Sequence, residues 1–235
     1  MPQSARIRIH YFTDVLCVWA YLAQIRLDEL EKHFGNELDI SYHYIPVFGC
    51  TDDRIGEGWK ERGGYEAFNR HTHEVCKAYP YVNLHKDIWK VNAPKTSASC
   101  HMFLKSLQLL ETKGIISSEK QDAYNGRTIF EEANWRVRLA FFQDAQDVGK
   151  METQLEIARA LNLPEATVVE QMQNGEAMAE LCRDIELRDE YKVEGSPTYI
   201  LNEGRQKLYG NVGYRIIEAN VHEIINMPFS QASWC

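Results

Sequence analysis

The sequence has no Cys-x-x-Cys pair, no run of basic residues, no internal repeat and no low-complexity stretch. Its six cysteines, Cys17, Cys50, Cys76, Cys100, Cys182 and Cys235, are scattered along 235 residues. That excludes the dense cysteine framework of a small secreted domain, and the simplest compartment is a reducing cytoplasm. The net charge of −8 is spread without a basic cluster, so a nucleic-acid partner, whose phosphates need grouped Lys and Arg, is not expected. No apolar stretch approaches the length of a membrane span, so no membrane partner is expected either. The opening "MPQSARIRIHYF" lacks the apolar core of a signal peptide and passes directly into a strand pattern. A hydrophobic fraction of 44% is enough for a packed core and argues against disorder.

"RIRIHYF" (6–12) alternates, with β-branched or aromatic residues at every second place, and predicts a strand. The next stretch, "CVWAYLAQIRLDELEKHFG", repeats apolar residues near helical spacing at Tyr21, Leu22, Ile25, Leu27 and Leu30, with Gly35 as its stop. "LDISYHYIPVFG" (38–49) reads as a second strand ending near Pro46. A β-α-β unit of this kind favours a parallel pair with a right-handed crossover. From about Gly63 to Asp189 the patterns are helical throughout, broken by the irregular "VNLHKDIWKVNAPKTS". Strand character returns in "SPTYILN" (196–202), with Glu203 and Gly204 as a turn and "RQKLYG" as a partner strand. "NVGYRIIEANVHEII" closes the pattern as an amphipathic helix.

Two local motifs fall at the joints of this β-α-β, helical block, β-β-α layout. Asp14, Cys17 and Trp19 form D-x-x-C-x-W where the first strand meets the first helix, and "VEGSPTYIL" sets Pro197 at the start of the strand after the block. In motif, order and layout the chain resembles the DsbA-like thioredoxin family. That branch includes FrnE-type oxidoreductases, 2-hydroxychromene-2-carboxylate isomerases and kappa-class glutathione transferases. The resemblance implies an α/β thioredoxin fold with an inserted α-helical domain, residues 1–50 and 190–235 forming the thioredoxin-like domain and 51–189 the insertion. It also implies a cis bond before Pro197, with the backbone of Ser196 exposed for pairing with a thiol-bearing ligand. Cys17 would be the nucleophile, and Trp19 and Tyr21 pocket walls beside it. Asn92, near "NAP", would line the same pocket. A cysteine at a helix N-terminus meets the positive end of the dipole and unpaired N–H groups, so a lowered thiol pKa is expected.

The motif departs from the dithiol members at Ala20, where a second cysteine would stand; alanine cannot resolve a mixed disulfide, and an outside thiol must. Glutathione is the expected co-substrate, with no tightly bound cofactor. The isomerases and kappa-class transferases also lack the pair but usually carry serine where Cys17 stands. Their glutathione-holding run at the last helix becomes "GNVGYR" here, where Asn211 would cap the helix and donate to a carboxylate. The functions implied are a single-thiol disulfide oxidoreductase, a glutathione-dependent isomerase or transferase acting on an aromatic small molecule, or a binding protein that kept the fold. A homodimer is left open. His71, His73 and Cys76 do not share one helix face and carry no ligand-spaced companions, so no metal is expected. "WRVRLAFF" reads as a solvated face rather than a nucleic-acid patch. Cys235 reads as a tail thiol without a resolving role.

Overall fold

The alternating stretch near the start becomes strand β1, Ile7–Thr13, and the apolar spacing after it becomes helix α1, Val18–Phe34. The computed structural model describes residues 6–226, Asn36 in backbone alone; Cys235 lies outside the described residues. Ala20, Leu27, Leu30 and Phe34 turn the buried face of α1 inward, whereas Ile25 is half-exposed on the other side. Strand β2, Leu38–Tyr44, then runs parallel to β1, in register from Ile7 opposite Leu38 to Thr13 opposite Tyr44. Pairing stops at Tyr44, two residues before the expected end near Pro46. Ile45 N–H still donates to Thr13 O (3.0 Å), but Pro46 has no N–H and Phe48 N–H is taken by a side chain, that of Asp14.

Six α-helices follow: α2 (Gly64–Cys76), α3 (Ala98–Thr112), α4 (Ile129–Phe142), α5 (Met151–Ala160), α6 (Glu165–Gln173) and α7 (Glu176–Glu190). α4 begins before the "NWRVRLAFF" pattern because Thr128 and Glu131 form a capping box: Thr128 Oγ1 accepts from Glu131 N–H (3.2 Å) and Glu131 Oε2 from Thr128 N–H (2.8 Å). Gly114, past the end of α3, takes the left-handed φ of 69° that lets its N–H return to Glu111 O.

Strands β3 (Thr198–Leu201) and β4 (Gln206–Tyr209) form the expected antiparallel hairpin, and α8 (Tyr214–Asn226) closes the described chain. β3 adds antiparallel to β1, so the four-stranded sheet has the order β2-β1-β3-β4. One hydrophobic core runs without interruption from Ile9, Tyr11 and Leu27 through Tyr44 to Phe103, Leu107 and Phe130 of the helices. Among the described residues no helix is long and apolar enough to cross a membrane.

Helix α3 is the hub of the helical block, packing on α4, α6 and α7, and Leu104 in it is fully buried. Leu104→Ala should cost about 2–5 kcal/mol, the range for a buried leucine truncated without collapse of its site. Urea unfolding should show it as a lower midpoint with an unchanged slope. A loss near zero would mean that α3 is not packed as described.

Candidate active site

β1 ends at Thr13, and five residues later, at Val18, the chain is in α1. Cys17 N–H bonds back to Asp14 O (3.1 Å), and Cys17 O accepts from Ala20 N–H (3.1 Å) and Tyr21 N–H (3.0 Å). Cys17 is the N-cap of α1 in an extended conformation, and its side chain makes no cap hydrogen bond. Its thiol instead donates to Ser196 O at 3.1 Å. Ser196 is fastened on a second side, since its Oγ accepts the Asp14 N–H (2.9 Å). The peptide between Ser196 and Pro197 is cis. Before it, Gly195 leaves room for the Tyr209 ring, because a Cβ there would stand 3.0 Å from the Tyr209 hydroxyl.

Asp14 is fully buried. Its Oδ1 accepts from Leu16 N–H (2.8 Å), and its Oδ2 from Phe48 N–H (2.9 Å) and Ser97 Oγ–H (2.7 Å). His101 Nε2 lies 3.7 Å from Oδ1. Burial alone would raise its pKa, but the His101 charge and these hydrogen bonds outweigh burial and hold the carboxyl below the ordinary aspartate value. Ser97, just before α3, and His101 within it carried no signal in the sequence. A Ser before a helix reads as a cap, and a lone His four residues later reads as core. Only the tertiary structure brings both to Asp14.

The thiol does not follow the sequence expectation. Cys17 is 6% exposed, and burial, the largest effect, pushes its pKa up. Ser196 and the N–H groups of Ala20 and Trp19 pull it down, and the Asp14 charge raises it further. The helix-terminus effect on which a lowered pKa rested is therefore present but outweighed.

The other sequence-identified residues are placed as follows. Trp19 sits half-buried in the first turn of α1, packed on the core. Tyr21 is buried and faces the helical block, stacked 4.6 Å from Phe142 and 5.5 Å from Trp135, with its hydroxyl on Asn83 O (3.1 Å). Burial pushes the Tyr21 phenol up to about 12. Asn92 is exposed in a left-handed turn (φ 49°) and makes no hydrogen bond to Cys17. Asn211 does not cap α8: Ile216 and Ile217 N–H reach Gly213 O, and the Asn211 amide bonds the Tyr79 hydroxyl instead. A cavity of about 950 Å³ lies along the outer edge of β2, and Cys17 is not among the residues lining it. Among the described residues no cluster of three or more His, Cys, Asp or Glu could hold a metal ion.

A parallel β-α-β unit, an antiparallel hairpin entered through a cis-proline, and a block of helices between them make one recognisable arrangement. The fold is that of the DsbA-like thioredoxin proteins. The cytosolic disulfide reductase DsbM from Pseudomonas aeruginosa matches it at a TM-score of 0.63 and 19% identity, over 92% of this chain and 98% of that one. A 2-hydroxychromene-2-carboxylate isomerase matches at 0.61 and 16%, over 94% and 97%. BdbD from Bacillus subtilis matches at 0.58 and 10%, over 95% and 90%. No protein-family model and no curated protein sequence matches the chain.

Because the thiol pKa is raised, carbamidomethylation of Cys17 should still be accelerating above the ordinary thiol value of about 8.5, where thiolate continues to accumulate. At pH 7, exposed Cys50 and Cys182 should be labelled first. Mass spectrometry of timed samples reads both, and a Cys17 rate that levels off below pH 7 would refute the buried-thiol description.

Proposed function

We propose that this protein is a thiol–disulfide oxidoreductase that works through the single thiol of Cys17, with glutathione as co-substrate in a reducing cytoplasm. The observation that carries this reading is the contact of the Cys17 thiol with the Ser196 carbonyl, directly before Pro197. It sets the sulfur against backbone with which an extended, disulfide-bearing ligand could pair. The described cysteines are all free, and residue 20, one turn beyond Cys17, is a fully buried alanine.

The chemistry then needs two displacements. The Cys17 thiolate attacks one sulfur of a substrate disulfide, forms a mixed disulfide and releases the other sulfur as thiolate. The glutathione thiolate attacks the substrate sulfur of that mixed disulfide, releasing Cys17 and carrying the substrate off as a glutathione mixed disulfide. The proton of the buried thiol must leave first. An incoming ligand that takes over the Ser196 carbonyl would remove the thiol's hydrogen-bond acceptor and expose the sulfur to attack geometry. A structure of DsbM with GSH has the same fold, at 17% identity, which supports glutathione as the small thiol.

A second reading is favoured by one observation. A buried thiol with a raised pKa is a neutral hydrogen-bond donor at pH 7. Held where the isomerases usually carry serine, it could orient a bound glutathione thiolate without ever becoming covalent. This is the isomerase or transferase alternative.

Incubation with oxidised glutathione separates the two. The first reading expects one glutathione adduct on Cys17, located by peptide mapping and absent from Cys17→Ser. Ala20→Cys should instead lose two hydrogens, since positions 17 and 20 share a helix face, and should reduce insulin disulfides under dithiothreitol without glutathione. The added sulfur in the packed core should cost about 1–3 kcal/mol. An Ala20→Cys protein that cycles, beside a native protein that never takes glutathione at Cys17, would overturn the single-thiol reading in favour of the second.

A further inference from the structure

β2 is an edge strand. Alternate residues along it turn their backbone groups away from β1. At Tyr42 and Tyr44 those groups are occupied. The Tyr42 carbonyl accepts from Lys105 Nζ (3.4 Å) and Gln108 Nε2 (3.1 Å), and Tyr44 N–H donates to Asp184 Oδ2 (2.7 Å). The same period directs Ile40 N–H, Ile40 C=O and Tyr42 N–H outward, and none of these three has a partner among the described residues. Natural sheets usually guard such an edge with proline, a bulge or a covering element. Here α3 and α7 guard the C-terminal half and leave the N-terminal half open.

The open half faces the groove of about 950 Å³, bordered by Ile40, Tyr42, Gln108, Glu111, Lys120 and Glu131. Its charges are uneven. Lys105 is paired with Asp184 (2.6 Å) and Lys120 with Glu31, while Arg6 stands exposed at the rim. Glu131 spends one oxygen on the Thr128 N–H. Glu111 Oε1 is buried with no hydrogen-bond partner of its own, and burial pushes this carboxyl up to about 7, against the pull of the Thr128 side chain and with Glu131 adding to the rise. The groove thus presents unpaired backbone on one wall and, on the other, the carboxyl groups of Glu111 and Glu131, of which Glu131 lies near Lys120 and Arg127 and Glu111 has no cation beside it.

We infer that this edge is a docking site for an extended basic peptide, which adds to β2 as a further strand and sets a lysine or arginine against Glu111 and Glu131. Ladder bonds to Ile40 and Tyr42 fix its register, and the acidic wall selects its charge. Only two or three ladder bonds are available before Lys105 and Gln108 close the edge, so the interaction is a weak and reversible one. The surface lies toward the N-terminal end of β2, whereas Cys17 follows the opposite end of the parallel β1, so occupancy leaves the thiol accessible.

The test uses the full-length protein, isotope-labelled for NMR. The probe is acetyl-Val-Lys-Val-Lys-Val-Lys-amide, with its Val-Glu counterpart as control. The basic probe should slow exchange of the Ile40 and Tyr42 amides several-fold in a saturable way, and more so at low salt. Ile40→Pro removes the outward N–H and spares the ladder to β1, as proline on an edge strand does, and should abolish binding. Glu111→Gln should weaken binding several-fold and leave Cys17 alkylation unchanged; it decides the matter if Ile40→Pro does not fold. Equal binding of the acidic probe, full affinity in Ile40→Pro, or no protection of the two amides would overturn the inference. So would self-association without probe that Ile40→Pro abolishes, since the occupant would then be a second copy of this chain.

Discussion

The site depends on one buried charge. Asp14 has no solvent to hydrate it, and an isolated carboxylate in that position would be prohibitive. It is retained because three donors from three separate segments converge on it: the turn into α1 through Leu16, the loop after β2 through Phe48, and the start of α3 through Ser97. Charge-assisted hydrogen bonds of this kind are about twice as strong as neutral ones. They act here as a clamp. Withdrawing the carboxylate would leave two buried N–H groups and a hydroxyl unpaired together, and the β1–α1 turn, which positions Cys17, would lose its attachment to both neighbours. The backbone of the same residue holds Ser196 through its hydroxyl, so the thiol and the carbonyl it faces share one anchor.

Two opposing effects set the state of Cys17, and magnitude decides between them. A helix N-terminus contributes roughly 0.3–1 kcal/mol, and up to about 2 in favourable buried geometry. Burial of a titratable group can shift its pKa by as much as 3–5 units, each worth about 1.4 kcal/mol. Burial wins, and the nearby Asp14 charge adds to it. In the resting protein the thiol is a protonated, hydrogen-bonded group. The same clamp that fixes the geometry thereby keeps the thiol buried and protonated.

The inserted helices do more than cover the sheet. α3 sends Ser97 and His101 to the site, and α4 sends Arg138, fully buried, to Thr13 Oγ1 (2.8 Å) and Gln24 Oε1 (2.7 Å) beneath the same turn. α7 sends Asp184 to the Tyr44 N–H at the sheet edge, where the carboxylate also meets His43 Nδ1 (2.8 Å) and Lys105 (2.6 Å). Long side chains from helices thus replace the hydrogen bonds that a neighbouring strand would have made, over part of β2 only. That partial cover is what leaves the groove.

Local chemistry determined much of this protein in advance. The alternation of β1, the apolar face of α1, the hairpin at Glu203 and Gly204 and the order of elements around the helical block were all legible, because period and turn chemistry act over a few residues. The cis bond before Pro197 came from the family resemblance rather than from local pattern, and the structure has it. The end of β2 was legible to within two residues, through Pro46, but the bond of the Phe48 N–H to the carboxylate of Asp14 was not, because Asp14 is distant in sequence. The helix-starting role given to Asn211 failed because α8 begins only at Tyr214, with Gly213 O accepting the first helical N–H groups. The acidity of the thiol could not be read at all. Sequence names the helix terminus, but desolvation is a property of everything packed around a group, and it exists only once the start of β3, α1 and the β1–α1 turn have closed over Cys17.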